Sequence, residues 1–453
     1  MQFLKRIRWW RRELRQTRLG KNSEGNLIII YPKPPGSVTP PPYILKLPDE
    51  ILYNIFENLT DVISWRTWRP TNISSKVLLD LTAVLLVCRR FNQIADPLLY
   101  QSAAFDIMPR WNFSIRHFKY YRCMKLHSSR AKSCQYLWLY VHRKQIGLTS
   151  KDMYMLEISD SLISSLSNVR TLNIDGSITR KEEWDIPSRV TEYMLRLENL
   201  TLKRGKWSEI FEFIEGSDLP ILKRLIIVGY RDQSGKTMVR KDKIGKAPIT
   251  ELYVLEFLGG RECLKNLLRW PRALETFEFQ LMDSWVQGDT MLFETLWEML
   301  LSHIESIRHI HIHWLDMIHP ESSVFHAHTF TNLVYLELHL DNIRWELDIA
   351  VEALFGGSLR TLVLNCLYPR YRSTSLLNPK WIDWLGEFVR EVGILTAGSR
   401  REIVLKNTGR KWSPFLPKRM MRHNGSLRNG LRHIGYIAEA VDVKYSYEVG
   451  VVD

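Results

Sequence analysis

Three histidines on alternate residues, His309-Ile310-His311-Ile312-His313, form a tight run of potential metal ligands. Read as a strand they share one face at steps of about 7 Å, too wide for one zinc ion, and no neighbouring cysteine or carboxylate completes a tetrahedron. A second stretch, Gly229 to Thr237, follows a strand-like segment and has the Ser234-Gly235-Lys236-Thr237 ending of a phosphate-cradling loop. Five residues separate its glycines where the cradle needs four, and Met238 to Lys246 is a poor helix, so the amides do not converge on an anion. There is no Gly-x-Ser-x-Gly and no His-Glu-x-x-His, and the five cysteines, Cys88, Cys123, Cys134, Cys263 and Cys366, include no Cys-x-x-Cys pair. No nucleophile, general base or metal set emerges. The chain is expected to be a binding protein rather than an enzyme, with no cofactor and no metal, in a reducing compartment.

The histidines belong to a repeating pattern. Segments of the form apolar-x-x-apolar-x-apolar recur as Cys134/Leu137/Leu139, Val169/Leu172/Ile174, Leu197/Leu200/Leu202, Leu222/Leu225/Ile227, Ile249/Leu252/Val254, Leu274/Phe277/Phe279, Ile307/Ile310/Ile312, Leu333/Leu336/Leu338 and Leu359/Leu362/Leu364, with a looser Ile403/Leu405. Their middle residues are spaced by 35, 28, 25, 27, 25, 33, 26 and 26, and most of these steps fall in the range of leucine-rich repeats. Helix-like spans lie between them at Trp207 to Ile214, Glu262 to Leu268, Leu292 to Ile304 and Leu347 to Leu354. One strand and one helix per unit buries its apolar face only against neighbours, as in a solenoid. The side chains between the template positions then point to the other face of a parallel sheet. There Tyr136, Trp138, Tyr140, Asn173, Tyr253, His309, His311, His313, Tyr335 and Glu337 are candidate contacts for a target, with Glu278, His339 and Asn365 on the same face.

Ahead of the repeats, Ile44 to Tyr100 reads as a helical module. Leu47-Pro48-Asp49-Glu50 puts a proline and two carboxylates at a helix start, and Ile51, Leu52, Ile55, Phe56 and Leu59 follow at helical spacing. A second run, Val84 to Ala95, keeps the same rhythm and is expected to stop at Asp96-Pro97. Two short helices cannot bury both stripes within themselves.

These segments, with Leu86-Val87-Cys88-Arg89-Arg90-Phe91-Asn92 and Ala95-Asp96-Pro97-Leu98-Leu99-Tyr100, resemble an F-box of the fungal type. The repeats resemble the irregular leucine-rich repeats found behind F-boxes. The resemblance implies a substrate-recognition subunit of a cullin-RING ubiquitin ligase, docking on a Skp-type adaptor and through it on a cullin scaffold. It implies that Leu47, Pro48, Ile51, Leu52, Ile55, Phe56, Val87, Cys88 and Phe91 contribute to the adaptor interface. Asp61 to Leu81 is longer than the usual connection between the two halves and departs from the pattern.

The fold expected is therefore α/β, an N-terminal helical F-box followed by a leucine-rich-repeat-like solenoid with a parallel sheet. Its expected parts are a disordered basic arm and Pro-rich linker (1–43), the F-box (44–100), a basic connector (101–132), the repeat domain that binds an unidentified target protein (133–410) and a C-terminal cap or tail (411–453). With 453 residues, 45% of them apolar, the chain can hold more than one core, and no stretch of about eighteen apolar residues is present to span a membrane. The formal charge of +14 is uneven: eight Lys/Arg against one acidic residue in 1–21, seven against one in 101–132, and ten against one in 399–433. Those segments open an alternative, a nucleic-acid or chromatin-associated binding protein, and the first could equally serve as a membrane-surface helix, a localisation signal or a solvated arm. The expected location is cytoplasmic, nuclear or both.

Overall fold

The computed structural model describes residues 18–21, 27–30, 44–58, 81–106, 122–141, 150–176, 179–180, 184–185, 190, 192–216, 219–230, 240–281, 291–313, 315, 324–340, 343, 346–355, 358–365, 379–395, 401–407, 424–441 and 443–449. The chain divides into two compact units, residues 1–172 with 192–196 and residues 173–191 with 197–453.

In the first unit β1 (Arg18–Lys21) and β2 (Leu27–Ile30) pair antiparallel, so the span expected to be disordered contains a short hairpin. Helix α1 (Asp49–Glu57) opens with Asp49 and Glu50, whose charges favour a helix N-terminus. The second helical run is interrupted where continuity was expected. Residues 81–85 are helical, and the chain breaks at 86–88 before α2 (Arg89–Leu99), whose first turn Cys88 caps by accepting from the Phe91 amide at 3.5 Å. The stop expected at Asp96-Pro97 does not occur: Pro97 lies inside α2, where it gives up one amide hydrogen bond to the preceding turn, and only two helical residues follow it. Leu52, Phe56, Leu81, Val84, Phe91, Ala95 and Leu98 form one core, with the Phe56 and Phe91 rings edge-on at 5.1 Å.

Beyond it, β3 (Ser102–Asp106) pairs parallel with β4 (Tyr136–Val141), and α3 (Ser128–Ser133) lies between them in the chain. The stretch expected as a connector thus holds its own strand and helix. Arg130 on α3 grips Asp96 on α2 with two hydrogen bonds of 3.1 and 3.0 Å and donates to Cys123 Sγ at 3.0 Å. Burial, followed by the hydrogen bond with Cys123, pushes the neighbouring Tyr100 hydroxyl up to about 12. Helix α4 (Ser150–Ser165) leads to β5 (Thr171–Gly176), where the chain passes from one unit to the other. A two-residue pair, β6 (Thr179–Arg180) with β7 (Trp184–Asp185), follows.

The second unit is built on β8 (Asn199–Lys203), β9 (Arg224–Val228), β10 (Glu251–Phe257), β11 (Thr276–Leu281), β12 (His309–Ile312), β13 (Tyr335–His339), β14 (Thr361–Asn365), β15 (Arg401–Asn407) and β16 (Val443–Val449). Each pairs parallel with the next in chain order. The template residues Leu200, Leu225, Leu252, Phe277, Ile310, Leu336, Leu362 and Ile403 lie side by side in that register. All eight are at most 1% exposed. A slip of one residue would turn this apolar row to the opposite face, so the pattern itself fixes the register.

Between the strands run α5 (Trp207–Gly216), α6 (Arg261–Leu268), α7 (Phe293–Leu300), α8 (Leu347–Leu354), α9 (Pro379–Leu395) and α10 (Asn424–Ala440). Strand–helix alternation therefore continues past residue 410, through the stretch expected as a cap or tail. Among the described residues, no helix is long and apolar enough to cross a membrane.

Two backbone details hold the layers close. Arg204 (φ 60°), Gly229 (φ 63°) and Glu256 (φ 52°) are left-handed at the ends of three adjacent strands. The amides of Arg204 and Gly229 donate to the next strand at Val228 (2.9 Å) and Leu255 (3.0 Å), which offsets a strain of about 1–2 kcal/mol at a non-glycine residue. Under α5, the Trp207 indole packs edge-on against Phe257 at 5.4 Å, and a Cβ on Gly259 would stand 2.5 Å from Trp207 Nε1. Both flanking groups belong to a close-packed core, so Gly259→Ala is expected to cost about 1–3 kcal/mol, read as a lowered denaturation midpoint of the second unit.

Candidate functional site

The first unit separates the residues expected at an adaptor interface into two sets. Leu52, Phe56 and Phe91 have no exposed surface. They hold α1 to α2, and the expectation that they face another chain is corrected. Ile51, Ile55 and Val87 are 44%, 37% and 40% exposed. The reason is angular: Leu52 and Phe56 form one stripe of α1 and Ile51 and Ile55 form the next, about 100° around the helix. Pro48 is exposed, while Leu47 and Cys88 are partly buried against the core. Leu45 and Leu86, not singled out from sequence, are also bare.

One side chain presets this surface. Arg90 at the start of α2 donates from Nε to Asp49 Oδ1 at 2.8 Å and from Nη2 to the Leu47 carbonyl at 2.6 Å, and also bonds the Leu45 carbonyl. It fastens the segment entering α1 to the start of α2, so both exposed stripes sit on a fixed backbone.

The second unit gathers most of the polar candidates into one network on the face opposite the template residues. Adjacent strands set Glu278, His311 and Glu337 side by side, and Glu251, Thr276, His309 and Tyr335 in the row beside them. Glu337 Oε2 is the hub. It accepts from Tyr335 Oη at 2.8 Å and Lys406 Nζ at 3.1 Å, and His311 Nδ1 lies 3.4 Å away. Burial raises the cost of ionising Glu337, but the His311 contact, the Lys406 charge and the Tyr335 hydroxyl outweigh it and hold its pKa well below the carboxylate range.

Glu278 is partly buried, which disfavours its charge, yet it is held low by His313, whose Nε2 is 2.8 Å from Oε1. At the other end Glu251 accepts from Arg224 at 2.6 Å and from Tyr253 Oη at 2.9 Å; burial first and this hydrogen bond next drive the tyrosine pKa up. His309 is pushed down by burial and then by electrostatic repulsion from His311 and Arg308. The result is a half-buried surface of fixed, mutually oriented charges and rings that can match a partner's polar groups with little reorganisation.

Of the residues expected at the target face, Tyr253, His309, His311, His313, Tyr335 and Glu337 are thus brought together. Asn173 is 9% exposed on β5. Tyr136, Trp138 and Tyr140 belong to β4 in the first unit, where they alternate with buried Leu137, Leu139 and Val141. Sequence reasoning passed over Arg224, Glu251 and Lys406. Arg224 and Glu251 directly precede middle template residues, Leu225 and Leu252, as His309 and Tyr335 precede Ile310 and Leu336, so the same rule would have found them.

Among the described residues no group of three or more His, Cys, Asp or Glu could hold a metal ion. Cys88, Cys123, Cys134 and Cys263 are free. Residues 231–237 of the stretch that begins at Gly229, 61–80 of the insertion, and 1–17, 107–121 and 408–423 of the three basic segments lie outside the described residues.

A search among curated proteins returned no match. A family profile described as F-box-like matches residues 44–106. Its span covers α1 and the break at 86–88, which carry the exposed Ile51, Ile55, Leu86 and Val87, and continues through α2 and β3. The chain carries an F-box-like domain, in the family whose members are adaptor subunits.

Proposed function

We propose that this protein is the substrate-recognition subunit of a cullin-RING ubiquitin ligase and has no catalytic chemistry of its own. The observation that carries the reading is the F-box-like match over 44–106 together with Ile51, Ile55, Leu86 and Val87, apolar side chains that the chain leaves in water. Exposed apolar residues on a preset backbone are what a partner subunit covers. In this reading they meet a Skp-type adaptor, with Leu45, Leu47 and Pro48 at the margin.

The repeats of the second unit are leucine-rich-repeat-like units of a solenoid of the irregular, fungal kind, and the polar strand face from Arg224 to Lys406 holds the target. One chain that grips both the adaptor and a target makes their encounter intramolecular and raises the effective concentration of target lysines near the conjugating enzyme. The protein would act in the cytoplasm, the nucleus or both.

The test is co-purification of the full chain from cells. The adaptor and a cullin are expected in the wild-type sample and absent from Ile51→Asp/Val87→Asp. A wild-type sample that lacks both sinks the reading.

A further inference from the structure

The sheet of the second unit runs out to β16, which among the described residues pairs with β15 alone. Edge strands are usually kept short, bulged or broken by proline, because their free amides and carbonyls accept another strand. This edge has none of those devices. It is seven residues long, its register with β15 is unbroken from Val443 to Val449, and it contains neither proline nor glycine. A regular edge of about 23 Å is a template for one more strand.

The residues of β16 say which strand fits. Val443-Lys444-Tyr445-Ser446-Tyr447-Glu448-Val449 reads nearly alike in both directions about Ser446. If two copies of it pair antiparallel with Ser446 opposite Ser446, valine falls opposite valine, Tyr445 opposite Tyr447 and Lys444 opposite Glu448. Opposite charges across a ladder attract and like charges repel, and a parallel in-register pairing would set lysine on lysine and glutamate on glutamate. Lys444 already meets Glu402 of its own chain at 2.5 Å, but its side chain is 72% exposed and an ammonium has three donors, so it can serve a second carboxylate.

The helix above the strand has the same symmetry. A Cβ on Gly435 of α10 would lie 3.7 Å from Tyr445 Cδ1, so an axis through Ser446 passes α10 close to Gly435. That point is midway between Arg432 and Glu439, both exposed. Ile437 faces α9, since a Cβ on Gly386 would sit 3.2 Å from its Cδ1. Arg432 and Glu439 are about 140° and 200° around α10 from Ile437, on the side away from α9. A two-fold axis there brings Arg432 of one copy level with Glu439 of the other.

We propose that β16 pairs antiparallel with β16 of a second copy of this chain, forming a two-fold dimer in which one sheet runs through both second units and α10 lies beside α10. Every contact at such an interface occurs twice, so a self-complementary strand is what it requires. The dimer is independent of the ligase reading: it uses neither the F-box-like domain nor the Glu337 network.

Sedimentation velocity of the full chain over a range of concentrations tests the pairing, with circular dichroism to check that each variant is folded. Wild type is expected to pass from monomer to dimer as the concentration rises. Lys444→Glu and Glu448→Lys each put like charges at both symmetric positions, and each is expected to weaken the dimer about tenfold or more. An equimolar mixture of these two variants restores opposite charges across the interface and is expected to dimerise as wild type does, as is the double variant Lys444→Glu/Glu448→Lys. Misfolded variants could not rescue one another in this way. A wild type that stays monomeric, as it would if the edge received a strand of another protein, overturns the proposal; so does a dimer that both single variants leave intact, or a mixture that stays monomeric.

Discussion

Phe91→Ala is expected to cost the first unit about 3–5 kcal/mol, enough to unfold α1 and α2 in a domain of ordinary stability. Phe91 is wholly buried and meets Phe56 edge-on at 5.1 Å, in a core completed by Leu52, Leu81, Val84, Ala95 and Leu98. Removing the ring takes away the transfer energy of the side chain, leaves a cavity bounded by helices that cannot close up, and forfeits an aromatic pair worth about 0.5–1.5 kcal/mol beyond its area. Hydrogen exchange across 49–57 and 89–99 reads the effect: protection is lost in Phe91→Ala and retained in Ile51→Asp. The second variant alters a side chain that is 44% exposed, so its cost is expected within about 0.5 kcal/mol. Equal losses in the two variants would show that the exposed and buried stripes of α1 are wrongly divided.

Glu337→Gln is the second large effect. The carboxylate side chain is 10% exposed and is bound by Tyr335, Lys406 and His311. Neutralising it weakens charge-assisted hydrogen bonds and leaves Lys406, itself only 24% exposed, without its counter-charge, for about 2–3 kcal/mol at neutral pH. The pH dependence follows from the direction of the shift. A carboxylate whose folded pKa lies below its ordinary 4.5 contributes stability that is complete above 4.5 and is lost as the pH falls from there toward the folded value. Wild type should therefore lose stability steeply on acidification below about pH 4.5, and Glu337→Gln should be weaker at neutral pH but lose less of it. Parallel acid-unfolding curves would refute the hub.

The strand ladder was legible because its signal is a period. Buried apolar residues at the same two positions of each unit fix strand, face and register together, and Leu200 to Ile403 aligned as their spacing required. What lay off that period was less visible. Cys88 capping α2 after a break in the second helical run, and Pro97 two residues from the end of α2, depend on local backbone hydrogen bonding, and spacing does not encode that. The adaptor residues were read as one stripe because Ile51, Leu52, Ile55 and Phe56 are all apolar. Hydrophobicity cannot tell a stripe that faces a helix of the same chain from one that faces outward; only the position of α2 divides them. The network around Glu337 was half legible. Alternation placed the histidines, Tyr335 and Glu337 on a common face, but Lys406 comes from a strand two positions further along the sheet and 69 residues away in sequence.

We propose that Ile51, Ile55, Leu86 and Val87 are bare in the isolated chain because another subunit covers them. Titration of the purified full chain with a purified Skp-type adaptor tests it most directly. Wild type and Glu337→Gln are expected to bind alike, and Ile51→Asp/Val87→Asp, folded by hydrogen exchange, to bind at least about 100-fold more weakly, since two buried apolar contacts become desolvated charges. Undiminished binding by the folded double variant, or no binding by wild type, would contradict the account.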